Sequence, residues 1–418
     1  MQPASAPTVD ASGRYPRKFV ALLVFVLGVL AATGPLATDL YLPALPEIAA
    51  DLGTTEARIQ LTLTSMMVGL ALGQLVIGPM SDTWGRRTPL VIGIIGFAVT
   101  SFAVVFAPSV DAFIVLRFLQ GVAGAAGAVI SRAVVRDLFE GEEVARFMSR
   151  LMLIVGLAPM IGPVLGGQIL LFGSWRLMFT VLGVAAVISL VLVYFWLPES
   201  LPAEKRAPQR PAVLARTFLG LLTDRRFIVP TLAIGFIFGT MFTYISSFSF
   251  VAQSEFNASP QTYSLIFGFN TLGMIAGTQI NAALIGRVSM GIRLMVGLFI
   301  MVVSVLGMGL LAATGTATLT ALTVLLLLTL FGAGFSIPNA MTIAVASQPV
   351  QVAGTASALI GSIQFAFGGA IGALGGVVSG GGDATLGSMT AVMGVSALVA
   401  LGLGFLRPNE TQLRFAKP

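Results

Sequence analysis

The chain predicts an all-α polytopic membrane protein, and three observations lead there. Apolar residues make up 56% and charged residues only 10% of 418 positions, whereas an ordinary soluble domain carries about 25% charge. Twelve apolar stretches each reach about 20 residues, the length that crosses a hydrocarbon core. Lysine and arginine gather on alternate connecting segments, as multi-pass chains require.

The expected spans are 18–42, 58–80, 88–107, 111–132, 145–172, 176–197, 227–252, 261–285, 292–313, 317–346, 352–379 and 385–406. Spans five, ten and eleven are longer than needed and are expected to tilt or to extend past the membrane. With a cytoplasmic N-terminus, the inside segments hold 20 of the 23 lysines and arginines, and the outside loops hold only Arg58 and Arg176; Arg117 is left within span four. Both termini are therefore expected in the cytoplasm, and the net charge of +6 needs no nucleic-acid partner. The first span is too long for the apolar core of a cleaved signal and runs straight into the Pro43–Pro46 turn.

The expected organisation is a cytoplasmic tail 1–17, a six-helix bundle 18–197, a linker 198–226, a second six-helix bundle 227–406 and a cytoplasmic tail 407–418. The first tail is rich in Pro, Ala and Ser and is expected to be disordered. The linker is Pro-rich and holds six basic residues, which suits a tether drawn to anionic lipid. Without cysteine or histidine there is no disulfide, thiolate or imidazole metal site, or histidine relay. A proton carrier must then be a carboxylate, and no cofactor beyond the proton itself is expected. No G-x4-G-K-[ST] loop is present to bind ATP.

Two intramembrane charges stand out. Asp39 lies in the last turns of span one, within Ala37-Thr-Asp-Leu-Tyr-Leu-Pro-Ala-Leu-Pro46, about 6 to 10 Å from the end at 1.5 Å per residue. Arg117 lies six residues into span four, about 9 Å deep by the same rise. An acid at that depth is costly to bury charged, so it is expected to face a protein interior or a wet cavity and to pair with Arg117. The plainer alternative is an interfacial carboxylate just outside the lipid.

The motifs sharpen this. Between spans two and three runs Gly78-Pro-Met-Ser-Asp-Thr-Trp-Gly-Arg-Arg87. Its Gly78, Asp82, Gly85, Arg86 and Arg87 fit G-x-x-x-D-x-x-G-R-[KR] at every position, and the loop resembles that between helices two and three of the major facilitator superfamily of secondary transporters. Leu116-Arg-Phe-Leu-Gln-Gly121 resembles the fourth-helix motif of proton-coupled members, and Asp39-x-Tyr-Leu-Pro43 the first-helix signature of drug:proton antiporters. Gly156-Leu-Ala-Pro-Met-Ile-Gly-Pro-Val-Leu-Gly-Gly167 is similar to the fifth-helix motif of exporters, through Gly156, Pro159, Gly162, Pro163, Gly166 and Gly167. With the Trp175-Arg176 pair opening span six, these resemble the bicyclomycin-resistance (Bcr/CflA) branch of multidrug and phenicol exporters. All of the motifs fall within residues 33–176.

The resemblance implies the major facilitator fold, with twelve transmembrane helices in two pseudo-symmetric six-helix bundles. It implies proton coupling through Asp39 and Arg117, and a conformational latch of Gly78, Asp82, Gly85, Arg86, Arg87 and Asp137. In that latch Arg86 pairs with Asp137, and Asp82 faces the start of span eleven near Gly354 and Thr355. It places the protein in a bacterial inner membrane, acting as a monomer on small lipophilic drug-like compounds.

The second half departs from the pattern. Its counterpart loop, Gly286-Arg-Val-Ser-Met-Gly-Ile-Arg293, aligns Gly291 with Gly85 and Arg293 with Arg87 but has Val288 in place of Asp82. No carboxylate lies inside spans seven to twelve. Gly69/Gly73, Gly162/Gly166, Gly273/Gly277 and Gly368/Gly372/Gly376 form small-residue faces on spans two, five, eight and eleven. Such faces permit close helix approach and are expected at the boundary between halves. Pro159 and Pro163 are expected to bend span five.

Candidate cavity residues are the polar or aromatic ones inside apolar spans, Gln60, Gln120, Tyr244, Asn270, Asn339 and Gln364, with Met66 and Met67. A lining rich in Met and Phe suits varied lipophilic ligands better than a sugar. A proton-driven exporter is the first reading. An importer of the same fold comes second, and an embedded enzyme or channel, for which no catalytic cluster exists, comes third.

Overall fold

The computed structural model describes residues 16–139, 141–206, 211–349, 352–378 and 384–408. The chain ends and the middle of the expected linker lie outside the described residues. Among the described residues there is no strand, and twelve helices of 19 residues or more carry the fold. These are α1 (Arg17–Asp39), α2 (Glu56–Trp84), α3 (Arg87–Val105), α4 (Val110–Leu138), α5 (Gly141–Ile169) and α6 (Arg176–Trp196), followed by α7 (Arg225–Phe250), α8 (Pro260–Ala283), α9 (Met290–Thr314), α10 (Leu319–Ala346), α11 (Ala353–Val378) and α12 (Leu386–Phe405). Every expected span has its helix, within a few residues at each end. Eleven helices are long and apolar enough to cross a membrane. The one that falls short is α8, diluted by Gln261, Thr262, Asn270, Thr271, Thr278, Gln279 and Asn281.

Helix starts follow local chemistry. Thr55, Ser109, Ser259, Ser289, Thr318 and Thr385 each accept a backbone N–H of the helix they open, and Asp224 does so for α7. Such caps satisfy donors that a helix end leaves orphaned. Beyond Asp39 the chain makes a short 3-10 turn, Leu42–Ala44, and a helix, Leu45–Asp51, where Pro43 and Pro46 prevent α1 from continuing.

Helices α1–α6 pack chiefly on one another, and so do α7–α12; α2 against α11 and α5 against α8 form the main contacts between the two sets. The small-residue faces sit differently from expectation. A Cβ on Gly69 would lie 2.2 Å from the Phe118 carbonyl of α4, one on Gly166 would lie 1.9 Å from the Leu40 carbonyl, and one on Gly277 would lie 2.2 Å from the Phe331 carbonyl of α10. Gly368 and Gly372 face Phe238 and Phe242 of α7. These glycines therefore fasten helices within a set. The cause is backbone approach too close for any side chain, which the tightly packed sets need more than the boundary does. The residues that do meet the other set are neighbours of the motif positions, such as Gly167 beside Ser264, Gly361 beside Gln74 and Gly369 beside Thr64 and Met67. The surroundings of Gly376 lie outside the described residues.

The second-half turn also needs correction. Gly286 has φ +80°, the left-handed conformation that Gly85 shows at φ +88°, whereas Gly291 lies inside α9. The left-handed turn that Gly85 makes in the first half is made in the second by Gly286, a backbone that glycine accepts without strain.

Gly69 and Gly121 are reciprocal, because a Cβ on Gly121 would lie 2.2 Å from the Met66 carbonyl. Gly121→Ala must therefore force α2 and α4 apart, at about 1–3 kcal/mol. Its melting temperature in detergent is expected below wild type, and an unchanged value contradicts the close approach.

Candidate functional site

Arg117 is the centre of the polar interior. It is fully buried on α4, and a charge there must be matched by hydrogen bonds. Its Nη2 donates to the Ala37 carbonyl at 3.0 Å, and its Nη1 donates to Gln120 Oε1 at 2.6 Å. Gln120 Nε2 passes on to Ser101 Oγ at 2.7 Å, which donates to the Phe97 carbonyl. The guanidinium also lies over the Tyr41 ring, 4.5 Å from its centroid. Tyr41 in turn shares a 2.9 Å hydrogen bond with Thr62 and packs on Phe113 and Phe179, which close the box with Trp175.

Asp39 is 4% exposed at the end of α1. It interacts with Arg117 electrostatically, yet no ion pair joins them. The expected ion pair is therefore absent: two Arg117 nitrogens are taken by the Ala37 carbonyl, two residues before the acid, and by Gln120 of α4, and its Nε has no partner. Helix α5 comes close to Asp39 through its glycines, with a Cβ on Gly162 falling 3.2 Å from Asp39 Cβ. On its other face, Gly167 meets Ser264, and its carbonyl accepts from Gln261 of α8 at 3.0 Å. The motif residues Pro159 and Pro163 lie inside α5, and Gly156 has open space around it.

The candidate cavity residues do not form one group. Tyr244 and Asn270 meet, with Asn270 Nδ2 donating to the phenol oxygen at 3.2 Å. Met66 Sδ accepts from Thr38 at 3.9 Å. Gln60 is buried on α2, and Gln364 is half-buried on α11. Gln120 is consumed by Arg117 and Ser101. Asn339 bonds a neighbouring helix: its amide donates to Asn281 Oδ1 at 2.8 Å and to the Phe335 carbonyl, and Asn281 Oδ1 also accepts from Arg293 Nη1 at 2.9 Å. A groove of about 790 Å3 lies between α9 and α12, and none of the candidates lines it.

At the Gly85 turn, Arg86 is 8% exposed and reaches Asp137 at 2.8 Å, Asp82 at 2.5 Å and Ser81 at 2.9 Å. Burial works against the Arg86 guanidinium, but the Asp137 and Asp82 carboxylates together hold it above its ordinary range. Arg87 donates to the Tyr194 carbonyl at 2.6 Å. Gly78 has only Val129 near the position of a Cβ, and Gly354 stands exposed with nothing within 4 Å of one. Sequence reasoning missed Glu199 and Ser200. Glu199 accepts from the Arg86 and Arg87 backbone N–H groups at 2.8 and 3.1 Å, and Ser200 donates to Asp137 at 3.0 Å. The linker thus begins as part of the turn network. A Glu straight after Pro198, facing a helix start that offers free N–H groups, was the available signal.

The opposite end, bearing Pro43, joins the two sets of helices. Ser249 donates to the Leu42 carbonyl at 2.6 Å, and Gln253 to the Pro43 carbonyl at 3.1 Å. Glu56 accepts from the Ala384 N–H at 2.9 Å. Beside this seam, Asp51 takes the Trp175 indole N–H at 3.0 Å and Arg176 at 2.6 Å.

A buried charge network in one set of helices, polar closure at one end and a charged turn at the other point to a solute carrier. The sequence model of the Major Facilitator Superfamily matches residues 27–373. The chain belongs to this superfamily. The facilitator is 45% identical over 62% of its length to an uncharacterized MFS-type transporter, YdgK, of Bacillus subtilis, of which the match spans 65%. It is 34% identical to a bicyclomycin resistance protein homolog of Haemophilus influenzae, over 85% of this chain and 89% of that one. It is also 31% identical to a chloramphenicol resistance protein of Pseudomonas aeruginosa, over 66% and 64%. A solved bacterial homolog of the lysosomal transporter Spinster shares the facilitator's fold at TM-score 0.76 and 14% identity, covering 94% of this chain and 97% of that one. A D-xylose–proton symporter does so at 0.69 and 16%, covering 92% and 97%. The facilitator is a multi-pass membrane transporter and not an enzyme.

Arg117→Lys tests the central network. An ammonium cannot span the Ala37 carbonyl, Gln120 and the Tyr41 face at once, so one charged hydrogen bond worth about 1.5–3 kcal/mol is lost. The variant is expected to melt lower and to lose transport. Wild-type values for both would show that the fork geometry is dispensable.

Proposed function

We propose that the protein is a proton-coupled antiporter that exports drug-like compounds across a bacterial inner membrane by alternating access. In this reading twelve spans form two six-helix halves, 18–197 and 227–406, joined by the 198–226 linker, with both termini cytoplasmic. The Gly85 turn then faces the cytoplasm and the Pro43 end faces outside. No cofactor beyond the proton is required, and the working unit is a monomer.

The observation that carries the reading is Asp39. It is buried at the meeting of α1 and α5 and lies near Arg117, whose two terminal nitrogens bond Gln120 and the Ala37 carbonyl while its Nε has no partner. An acid so placed, with an electrostatic partner but no ion pair, is a functional residue by default. Proton binding from outside and release inside, exchanged against substrate, is the role that fits. The names of relatives, bicyclomycin resistance and chloramphenicol resistance, support drugs as cargo.

Energised everted vesicles test the direction and the coupling. Wild type is expected to accumulate drug and to lose that accumulation with a protonophore, and Asp39→Asn is expected to abolish gradient-driven uptake while drug binding persists. Full gradient-dependent transport by Asp39→Asn would sink the assignment.

We further propose that the Gly85 turn is a latch holding the halves together on the cytoplasmic side in the outward-open state, with Asp82 meeting the start of α11 near Gly354 and Thr355. A carboxylate at a helix start is worth about 0.3–1 kcal/mol when exposed. Asp82→Asn is expected to lower turnover and to lengthen the distance between spin labels on the cytoplasmic ends of α4 and α10. An unchanged distance distribution with reduced transport rules the latch out.

A further inference from the structure

Five buried polar atoms in one region have no hydrogen-bond partner, namely Gln60 Oε1 and Nε2, Ser247 Oγ, Asn270 Oδ1 and Tyr263 Oη. Gln60, Asn270, Ser247 and Tyr263 are each 1% exposed or less. Buried groups of this kind nearly always find partners, so five together call for a cause. They are also contiguous. Ser247 and Tyr244 stand three residues apart on α7 and so share a face. Tyr244 is bonded to Asn270 and stacks on Phe267, 5.3 Å between centroids at 13°, and Tyr263 packs on the same Phe267 at 6.0 Å. On the other side of Ser247 is Gly375, where a Cβ would fall 3.0 Å from Ser247 Oγ and 3.9 Å from Gln60 Oε1. Two unpaired oxygens converge at Gly375, where even a methyl group would press on Ser247 Oγ. Gln60 belongs to the first set of helices and Ser247 to the second, so the strip crosses the boundary on which transport depends.

We infer that this strip is a substrate subsite for an uncharged compound that carries both hydrogen-bond donors and acceptors beside a flat ring. The inference rests on the reading of the protein as an exporter and names the class of its cargo. An amide at Gln60 and hydroxyls at Ser247 and Tyr263 both give and take hydrogen bonds, whereas Asn270 Oδ1 only accepts. Helices α7 to α12 contain no acidic residue, and the carboxylate that acts on Tyr244 and Tyr263 is Asp39 of α1, whose charge Arg117 already opposes. The stacked Tyr244–Phe267 pair supplies the apolar face for a ring. Groups left unpaired in the absence of ligand also discriminate, since a compound lacking the matching donor or acceptor leaves them unpaired still.

The test is equilibrium binding to the full chain in nanodiscs with no proton gradient. The probes are chloramphenicol, a neutral nitroaryl amide with two hydroxyls, and tetraphenylphosphonium, a lipophilic cation without donors. Wild type is expected to bind chloramphenicol and not to release it to tetraphenylphosphonium. Gln60→Leu and Asn270→Leu are each expected to weaken chloramphenicol about tenfold; Gln60→Leu is expected to melt at or above the wild-type temperature because two buried unpaired atoms are removed, and Asn270→Leu below it because Tyr244 loses its hydrogen bond. Ser247→Ala, which deletes one oxygen, gives the same readout if a leucine variant fails to fold. Unchanged chloramphenicol affinity in the stable variants, or binding of the cation in preference, overturns the inference. Binding that behaves as expected without gradient-driven export leaves the subsite standing and removes the exporter reading; export of the cation alone does the reverse.

Discussion

The interior of the first six helices depends on keeping one guanidinium out of water. Arg117 has no solvent exposure, so its hydrogen bonds must come from protein, and they come from the end of α1 and from Gln120 on its own helix. Through Ser101 the network continues to α3. Three helices are thereby held in one relation, and the aromatic box of Tyr41, Phe113, Trp175 and Phe179 seals that relation from the Pro43 end. Asp39 is placed as a by-product: its neighbour Ala37 is fixed by the arginine, and α5 is drawn against it by Gly162 and Gly166. The acid is positioned without being neutralised.

The two sets of helices solve the same turn differently. In the first, Arg86 is balanced by two carboxylates and reinforced by Ser200 on Asp137. In the second, Arg293 is met by the side chain and carbonyl of Asn281, which Asn339 backs. Amides have replaced acids, so the second turn keeps its hydrogen bonds and gives up its ion pairs. Hydrogen bonding to an arginine does not require a counter-charge near water, where ion pairs contribute little.

Much of this was legible in sequence, because bilayer thickness and charge placement constrain a chain strongly. Helix positions and the Arg86–Asp137 contact followed from spacing and motif. What escaped was direction around a helix axis. The glycines of α2, α5, α8 and α11 lie on helices that meet across the boundary, but their motif faces turn inward, and a rotation of one residue separates the two cases. Asn339 is open to the same ambiguity: polarity inside an apolar span does not say which neighbour receives it. Glu199 and Ser200 were hidden because a segment read as a tether carried no periodicity to set them apart.

Three bonds of the seam at the Pro43 end run from side chains of the second set to main-chain oxygens of the first: Ser249 to Leu42, Gln253 to Pro43 and Gln261 to Gly167. A carbonyl belongs to every residue, so mutational scanning of this seam will detect its donors and remain blind to its acceptors. The three bonds also carry no formal charge. Neither salt in the medium nor the voltage across the membrane has a handle on them, which leaves the Glu56 carboxylate on the Ala384 N–H as the contact of this seam that either can reach.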